Sequence, residues 1–239
     1  MSNGTLYIIA SPIGNLEDIT LRALRVLRES AGRVYCEDTR QTRKLLDHYG
    51  ISLHARSLHA HSSDARIQEA LDELQGGTSI AYLTDSGTPG ISDPGARLVE
   101  HARAAGIPVV PVPGPSALAA LLSVAGFAGK TVVFTGFLSK REGRMRRELE
   151  RYREFEAVIV MYESPYRIKR LLSLVHSVFP SSMVAIGREM TKLHEEIITG
   201  TSREVMTGLE SLTARGEFTV AVWNRPSDEI PEEPWDDRD

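Results

Sequence analysis

Short apolar runs alternate with amphipathic stretches along the first half of the chain. Thr5 to Ile9, Arg33 to Cys36, Leu53 to Leu58, residues 79–84 and Pro108 to Val112 have the length and alternation of strands. Helical spacing fills the gaps. Leu21, Leu24 and Leu27 share one face of a helix capped by Asp18 or Thr20. Leu45 and Leu46 point inward from a helix over 40–48, and Asp64 to Leu74 is a helix closed by Gly76-Gly77. Leu98, Val99 and Ala102 mark a fourth helix, and Ala117 to Val124 is a fifth, built of small residues. Regular strand–helix alternation predicts a mostly parallel sheet covered on both faces.

The pattern restarts after Gly126 to Lys130. Strand Thr131 to Thr135 leads to a basic helix. Strand Ala157 to Met161, helix Pro165 to Val178, strands Met183 to Gly187 and Glu195 to Ile198, helix Ser202 to Leu212 and strand Phe218 to Trp223 follow. This predicts a second α/β domain with some antiparallel pairing. The chain therefore divides into an N-terminal α/β domain over 1–114, a C-terminal one over 115–225, and a tail over 226–239.

Candidate chemistry collects where strands end. Thr84-Asp85-Ser86-Gly87-Thr88-Pro89-Gly90-Ile91-Ser92-Asp93-Pro94-Gly95 joins a buried strand to a helix, with Asp93 and Pro94 spaced as an N-cap and first helical residue. Its glycines allow close backbone approach, and its length exceeds an ordinary strand–helix turn, so it reads as a ligand loop. Ser11-Pro12-Ile13-Gly14-Asn15, Glu37-Asp38-Thr39-Arg40 and Pro113-Gly114-Pro115-Ser116 follow other strands. Open α/β sheets bind ligands at such ends. No G-x-G-x-x-G follows the first strand, and no G-x-x-x-x-G-K-[ST] or G-x-S-x-G occurs, which argues against a dinucleotide fold, a P-loop and a serine hydrolase.

Charge changes the picture more than composition does. The net charge of −4 hides a tail, residues 226–239, with seven acids and one arginine, and a segment, Lys140 to Arg153, with seven basic residues and three acids. The tail has little to bury and is expected to be disordered. The basic segment reads either as a solvated helix face or as a nucleic-acid surface, and its excess of cations favours the second. One cysteine, Cys36, excludes a disulfide framework within the chain, and no run of about twenty apolar residues occurs. A cytoplasmic, membrane-free protein is expected. His54, His59 and His61 raise a metal question, but with no third ligand apparent nearby no metal is expected.

Eight ordered blocks carry a resemblance across nearly the whole chain: SPIGNLEDITLRAL (11–24), CEDTRQTRKLL (36–46), TDSGTPGISDPG (84–95), VPVPGPSA (110–117), GFLSKREGRMRR (136–147), MYESPYRI (161–168), GREMTKLHEE (187–196) and GEFTVAV (216–222). Together they resemble the tetrapyrrole methylase superfamily of S-adenosyl-L-methionine (AdoMet)-dependent methyltransferases. The Glu-Asp-Thr-Arg and Arg-Glu-x-Thr-Lys blocks resemble the branch that acts on small-subunit ribosomal RNA. One departure is His61-Ser62-Ser63, where that family often has His-Asn-Glu.

The resemblance implies two α/β domains with a cofactor cleft between them. It implies AdoMet held by Pro12, Asp85, Ser86, Gly87, Gly90, Ile91 and Ser116 on one side and by Tyr162, Ile186 and Phe218 on the other. Ser116 is equally an N-cap after Pro115. It further implies 2′-O-methylation of a cytidine in the decoding region of 16S rRNA, as free RNA or in the small subunit, by a homodimer. A ribose hydroxyl must lose its proton to act as nucleophile, so Lys192, Glu189, Asp38 and Glu163 are candidate catalytic groups. Glu189 and Lys192 read equally as a structural ion pair. Arg40, Lys140, Arg141, Arg144, Arg146 and Arg147 are candidate RNA contacts. Tyr162 and Tyr166 read either as base-stacking rings or as core. The rival activities are tetrapyrrole or protein-histidine methylation, or a non-catalytic nucleotide-binding regulatory module.

Overall fold

The computed structural model describes residues 2–59, 62–90 and 95–225. They form two compact units, Met1–Ala120 with Met190–Leu193, and Leu121–Glu189 with the chain from His194 onward.

In the first unit, strands β1 (Leu6–Ile9), β2 (Arg33–Cys36), β3 (Ala55–Ser57), β4 (Ile80–Leu83) and β5 (Val109–Val112) alternate with helices α1 (Leu21–Glu29), α2 (Thr39–His48), α3 (Asp64–Gln75) and α4 (Gly95–Ala104), and the chain continues through α5 (Ala117–Ala125). The sheet order is β3-β2-β4-β1-β5, and every pairing is parallel. The chain steps one way from β1 to β3 and the other way from β3 to β5. Right-handed crossovers then put α1 and α2 on one face and α3 and α4 on the other.

The two cores follow this division. Leu24, Leu27, Leu45 and Leu46 pack with Ile9, Val34, Cys36, Ala81 and Leu83. Ile67, Leu71, Leu74, Leu98 and Ala102 pack with Leu6, Tyr35, Ile80 and Tyr82. Adjacent strand residues thus feed opposite cores, as the period of two requires. Thr20, not Asp18, caps α1 by accepting the Ala23 N–H at 3.1 Å. The predicted Asp93 cap and Pro94 lie outside the described residues, as do Ile91, His61 and the tail.

In the second unit, β6 (Val132–Phe137), β7 (Ala157–Glu163), β8 (Met183–Arg188), β9 (Glu196–Thr201) and β10 (Phe218–Asn224) form a sheet of order β6-β7-β10-β8-β9. Only β6 and β7 are parallel, joined through α6 (Glu142–Glu150); the other pairs are antiparallel. Helices α6, α7 (Ile168–Val178) and α8 (Ser202–Thr207) cover one face, where Leu149, Leu171 and Val175 meet Ile159, Met161, Val220 and Val222.

Helices here are shorter than the apolar pattern predicts. The basic helix spans Glu142–Glu150, which leaves Lys140 before it and Arg151 and Arg153 after it. Helix α7 begins at Ile168 rather than Pro165, and α8 ends at Thr207 with Gly208 as its C-cap. A bulge between Phe134 and Gly136 shifts the β6 register. Residues three apart on a regular strand face opposite ways. The bulge instead lets Phe134 and Phe137 both pack edge-on against Tyr162, at 4.9 and 5.7 Å between ring centres.

Candidate functional site

The carboxyl ends of the first unit's strands are tied into one rim. Ser11 and Gly87 exchange backbone hydrogen bonds at 3.0 and 3.1 Å, which joins the loops after β1 and β4. The Ser11 hydroxyl donates to the Thr84 carbonyl at 2.9 Å, and the Thr84 hydroxyl donates to the Gly87 carbonyl at 3.0 Å. The Asp38 N–H donates to the Asp85 carboxylate at 2.9 Å, which brings in the loop after β2. The Thr88 hydroxyl donates to the Pro115 carbonyl at 3.0 Å, which brings in the loop after β5. Pro12, Asp85, Ser86, Gly87, Gly90 and Ser116 therefore lie on or beside one connected rim.

Gly87 and Gly90 both adopt left-handed backbone, with φ of 84° and 88°. A Cβ on Gly87 would make only ordinary van der Waals contact, with Ile13 Cγ2 at 3.5 Å and the Pro115 carbonyl at 3.7 Å, so the left-handed backbone rather than lack of space favours glycine there. A Cβ on Gly90 would meet nothing within 4 Å. Ser86 and Gly90 hydrogen-bond to no other described residue. The rim thus offers free backbone donors and a carboxylate beside a surface that glycine keeps open. That donor set fits a ligand carrying amine, carboxylate and hydroxyl groups.

The segment Met190–Leu193 belongs to this unit, although it lies far along the chain. The Asn15 N–H donates to the Thr191 hydroxyl at 3.0 Å. A Cβ on Gly14 would stand 2.5 Å from Lys192 Cγ and 2.9 Å from the Met190 carbonyl, so only glycine lets the 11–15 loop seat this segment. Lys192 is half-buried there. Thr191 has φ of 65°, a left-handed conformation uncommon for a threonine. Gly14 and Asn15 fall in the loop after β1 and Thr191 in the Arg-Glu-x-Thr-Lys block, but the sequence does not show that the two meet. The glycine in a loop at a strand end was the one available signal.

The three candidate carboxylates are each engaged in structure. Asp38 caps α2 by accepting the Arg40 N–H at 2.8 Å, and it pairs with the Arg40 guanidinium at 2.7 Å. That pairing and the backbone hydrogen bond hold its carboxyl down at about 2. Arg40, exposed at the rim, is correspondingly tied to Asp38.

Glu189 lies in the second unit. It receives the Glu217 N–H at 2.9 Å, and a Cβ on Gly216 would strike its carboxylate at 2.6 Å. It and Lys192 do not lie on a helix. Both Glu189 (φ 49°) and Thr191 adopt left-handed turns. Glu163 has a fully buried side chain. Its Oε1 accepts from Ser164 N and Arg167 Nε, each at 2.7 Å, and Arg167 also reaches the Leu138 carbonyl at 3.4 Å.

Within the second unit, the Ile186 and Phe218 side chains lie in the core beneath the helices. Alternation along β8 and β10 turns both side chains toward the helices. Tyr162 points from the opposite face. On and around α6, Lys140, Arg141, Arg144 and Arg147 are exposed and pair with no carboxylate among the described residues. Arg146 differs, since it bonds the Ser177 hydroxyl at 3.1 Å and stands 3.9 Å from Glu150. Among the described residues no group of three or more His, Cys, Asp or Glu could hold a metal, and no helix is long and apolar enough to cross a membrane.

Residues 5–206 match the family profile of the tetrapyrrole (corrin/porphyrin) methylases. A ribosomal RNA small subunit methyltransferase I from Leptospira biflexa is 44% identical over 223 residues, covering 93% of this chain and 92% of that protein. The crystal structure of the methyltransferase CobJ superimposes with a TM-score of 0.68 at 18% identity, covering 96% of this chain and 97% of that one. A uroporphyrin-III C-methyltransferase from Thermus thermophilus, solved with S-adenyl homocysteine, gives 0.62 at 17% identity, covering 91% and 97%. The chain belongs to the tetrapyrrole methylase family and, within it, groups with the ribosomal RNA small subunit methyltransferase I proteins.

Proposed function

We propose that this protein transfers a methyl group from AdoMet to the ribose 2′-hydroxyl of a cytidine in the decoding region of 16S rRNA. The observation that carries the RNA assignment is the uncompensated basic surface of the second unit. Lys140, Arg141, Arg144 and Arg147 stand exposed without carboxylate partners among the described residues, and a phosphate backbone is the natural counter-charge. A tetrapyrrole or histidine substrate gives that surface nothing to do. Arg40 and Arg146 join it in the proposal as cations already held in place by Asp38 and by Ser177.

For the methyl donor, the proposed holders are Pro12, Asp85, Ser86, Gly87, Gly90, Ile91 and Ser116. Tyr162, Ile186 and Phe218 join the proposal on the family resemblance alone. The free donors at Ser86 and Gly90 and the Asp85 carboxylate are what support this reading. AdoMet, when bound, supplies an electrophilic methyl group on a sulfonium centre. The thermophilic relative solved with S-adenyl homocysteine accords with that choice.

The residues of this chain then have to orient the hydroxyl and take its proton. Asp38 is a weak base at about 2, and its oxygens are already committed to Arg40. Glu163 is committed to Arg167, and Glu189 to the turn before β10. Lys192 is the proposed proton acceptor because the Met190–Leu193 segment seats it beside the loop after β1, at the rim. Its segment is fixed by Gly14 and by the Asn15–Thr191 hydrogen bond. Replacing a positioned general base costs about 10²- to 10⁴-fold in rate. Lys192→Ala should lower kcat by about a hundredfold at saturating small subunits and leave AdoMet affinity unchanged. Near-normal turnover would remove Lys192 from the chemistry.

A further inference from the structure

Tyr166 is 97% exposed, and Phe137 is 60% exposed. An isolated surface aromatic needs no explanation, but the backbone beneath Tyr166 is unusually constrained. It sits between Pro165 and Arg167 in the turn from β7 to α7. The fully buried Glu163 carboxylate holds both flanks of that turn, through Ser164 N and through Arg167. Arg167 N closes the turn onto the Ser164 carbonyl at 3.1 Å.

Two arginines then staple this turn to the loop after β6. Arg167 donates to the Leu138 carbonyl at 3.4 Å, and Arg170 donates to the Lys140 carbonyl at 3.2 Å. Ser139 N is fixed in turn by Glu148 at 2.9 Å. One end of the parallel β6–β7 pair therefore presents Phe137 at the end of β6 beside Lys140, Arg141 and Tyr166, which come from two loops locked to each other.

We infer that this end of the second unit is a single-stranded RNA platform on which Tyr166 stacks a base of the substrate strand. Unstacked bases are read by aromatic faces, while neighbouring cations take the phosphates. Here Lys140 and Arg141 supply the cations on a loop fixed to the aromatic turn. A ring held ready on a rigid turn loses little freedom on binding, which is how presentation becomes affinity. The inference rests on the RNA reading above and deepens it. Tyr166 is assigned a binding role for a base and no part in proton transfer.

The test is a fluorescence titration of the full-length protein with a short single-stranded RNA carrying 2-aminopurine, at several salt concentrations. Thermal unfolding and AdoMet titration run beside it. Loss of one base–aromatic stack should weaken binding by about 5- to 100-fold in Tyr166→Ala. Tyr166→Phe should stay within about twofold, because the face is retained. Stacking releases no counterions, so the salt dependence of Tyr166→Ala should match that of the unmodified protein. Lys140→Ala with Arg141→Ala should flatten it. Thermal midpoint and AdoMet affinity should not move, since the ring touches little of the fold.

Wild-type RNA binding that Tyr166→Ala leaves intact overturns the platform and spares the RNA reading. A wild-type protein that neither binds nor methylates RNA removes that reading and the platform with it. Intact RNA binding combined with loss of docking to a ribosomal protein assigns the ring to a protein partner instead, and that also overturns the inference.

Discussion

Removing the Glu163 carboxylate should destabilise the second unit severely, even though the need for a base makes this residue a catalytic candidate. Its side chain is 0% exposed, and that of its partner Arg167 is 15% exposed. Glu163→Ala would leave a buried guanidinium facing only the Leu138 carbonyl at 3.4 Å, and would also strip Ser164 N of its acceptor. Breaking a buried pair from one side costs about 3–5 kcal/mol. With an m-value of about 2 kcal/mol/M, the urea midpoint should fall by about 1.5 to 2.5 M.

The second oxygen, Oε2, is buried without a hydrogen-bond partner, so the pair is itself incompletely satisfied. Replacing both partners together, as Glu163→Leu with Arg167→Met, should therefore recover most or all of the stability. Urea unfolding followed by far-ultraviolet circular dichroism reads both variants. A single variant within 1 kcal/mol of wild type, or a double variant no better than the single, would refute the structural role.

Two further outcomes follow from the first unit's rim. Gly14→Ala should lower methyl transfer while leaving the fold intact, because its Cβ would stand 2.5 Å from Lys192 Cγ and push the Met190–Leu193 segment away; single-turnover kinetics should show the loss in the chemical step. Asp38 should titrate near 2 rather than at its ordinary 3.8, as read by carboxyl carbon NMR. Because the folded value is the lower one, its stabilising contribution is fully present above about 4 and disappears as pH falls through about 2, and Arg40→Ala should raise the midpoint.

Most of the scaffold was legible because it depends on local pattern. Val34 and Cys36 against Tyr35, or Ala81 and Leu83 against Ile80 and Tyr82, alternate as a strand covered on both faces must. Glycine-rich loops at strand ends announced the rim. What stayed hidden depends on long-range meetings. Asn15 and Thr191 are 176 residues apart, and nothing in either motif says they touch. The left-handed turns at Glu189 and Thr191 lack the glycine that would have signalled them. The bulge after Phe134 was equally invisible, although it gathers two phenylalanines on Tyr162. The resemblance that named Ile186 and Phe218 did not say which face of the sheet each side chain turns to.

The central claim is tested most directly by the fate of a labelled methyl group. Small ribosomal subunits lacking this modification would be incubated with the protein and tritiated AdoMet, and the rRNA digested to nucleosides. The account predicts about one methyl group per subunit, recovered as 2′-O-methylcytidine from the decoding region and formed about a hundredfold more slowly with Lys192→Ala. Label on a base carbon or nitrogen, label recovered only in a tetrapyrrole or a protein histidine, or no transfer to RNA at all would contradict it.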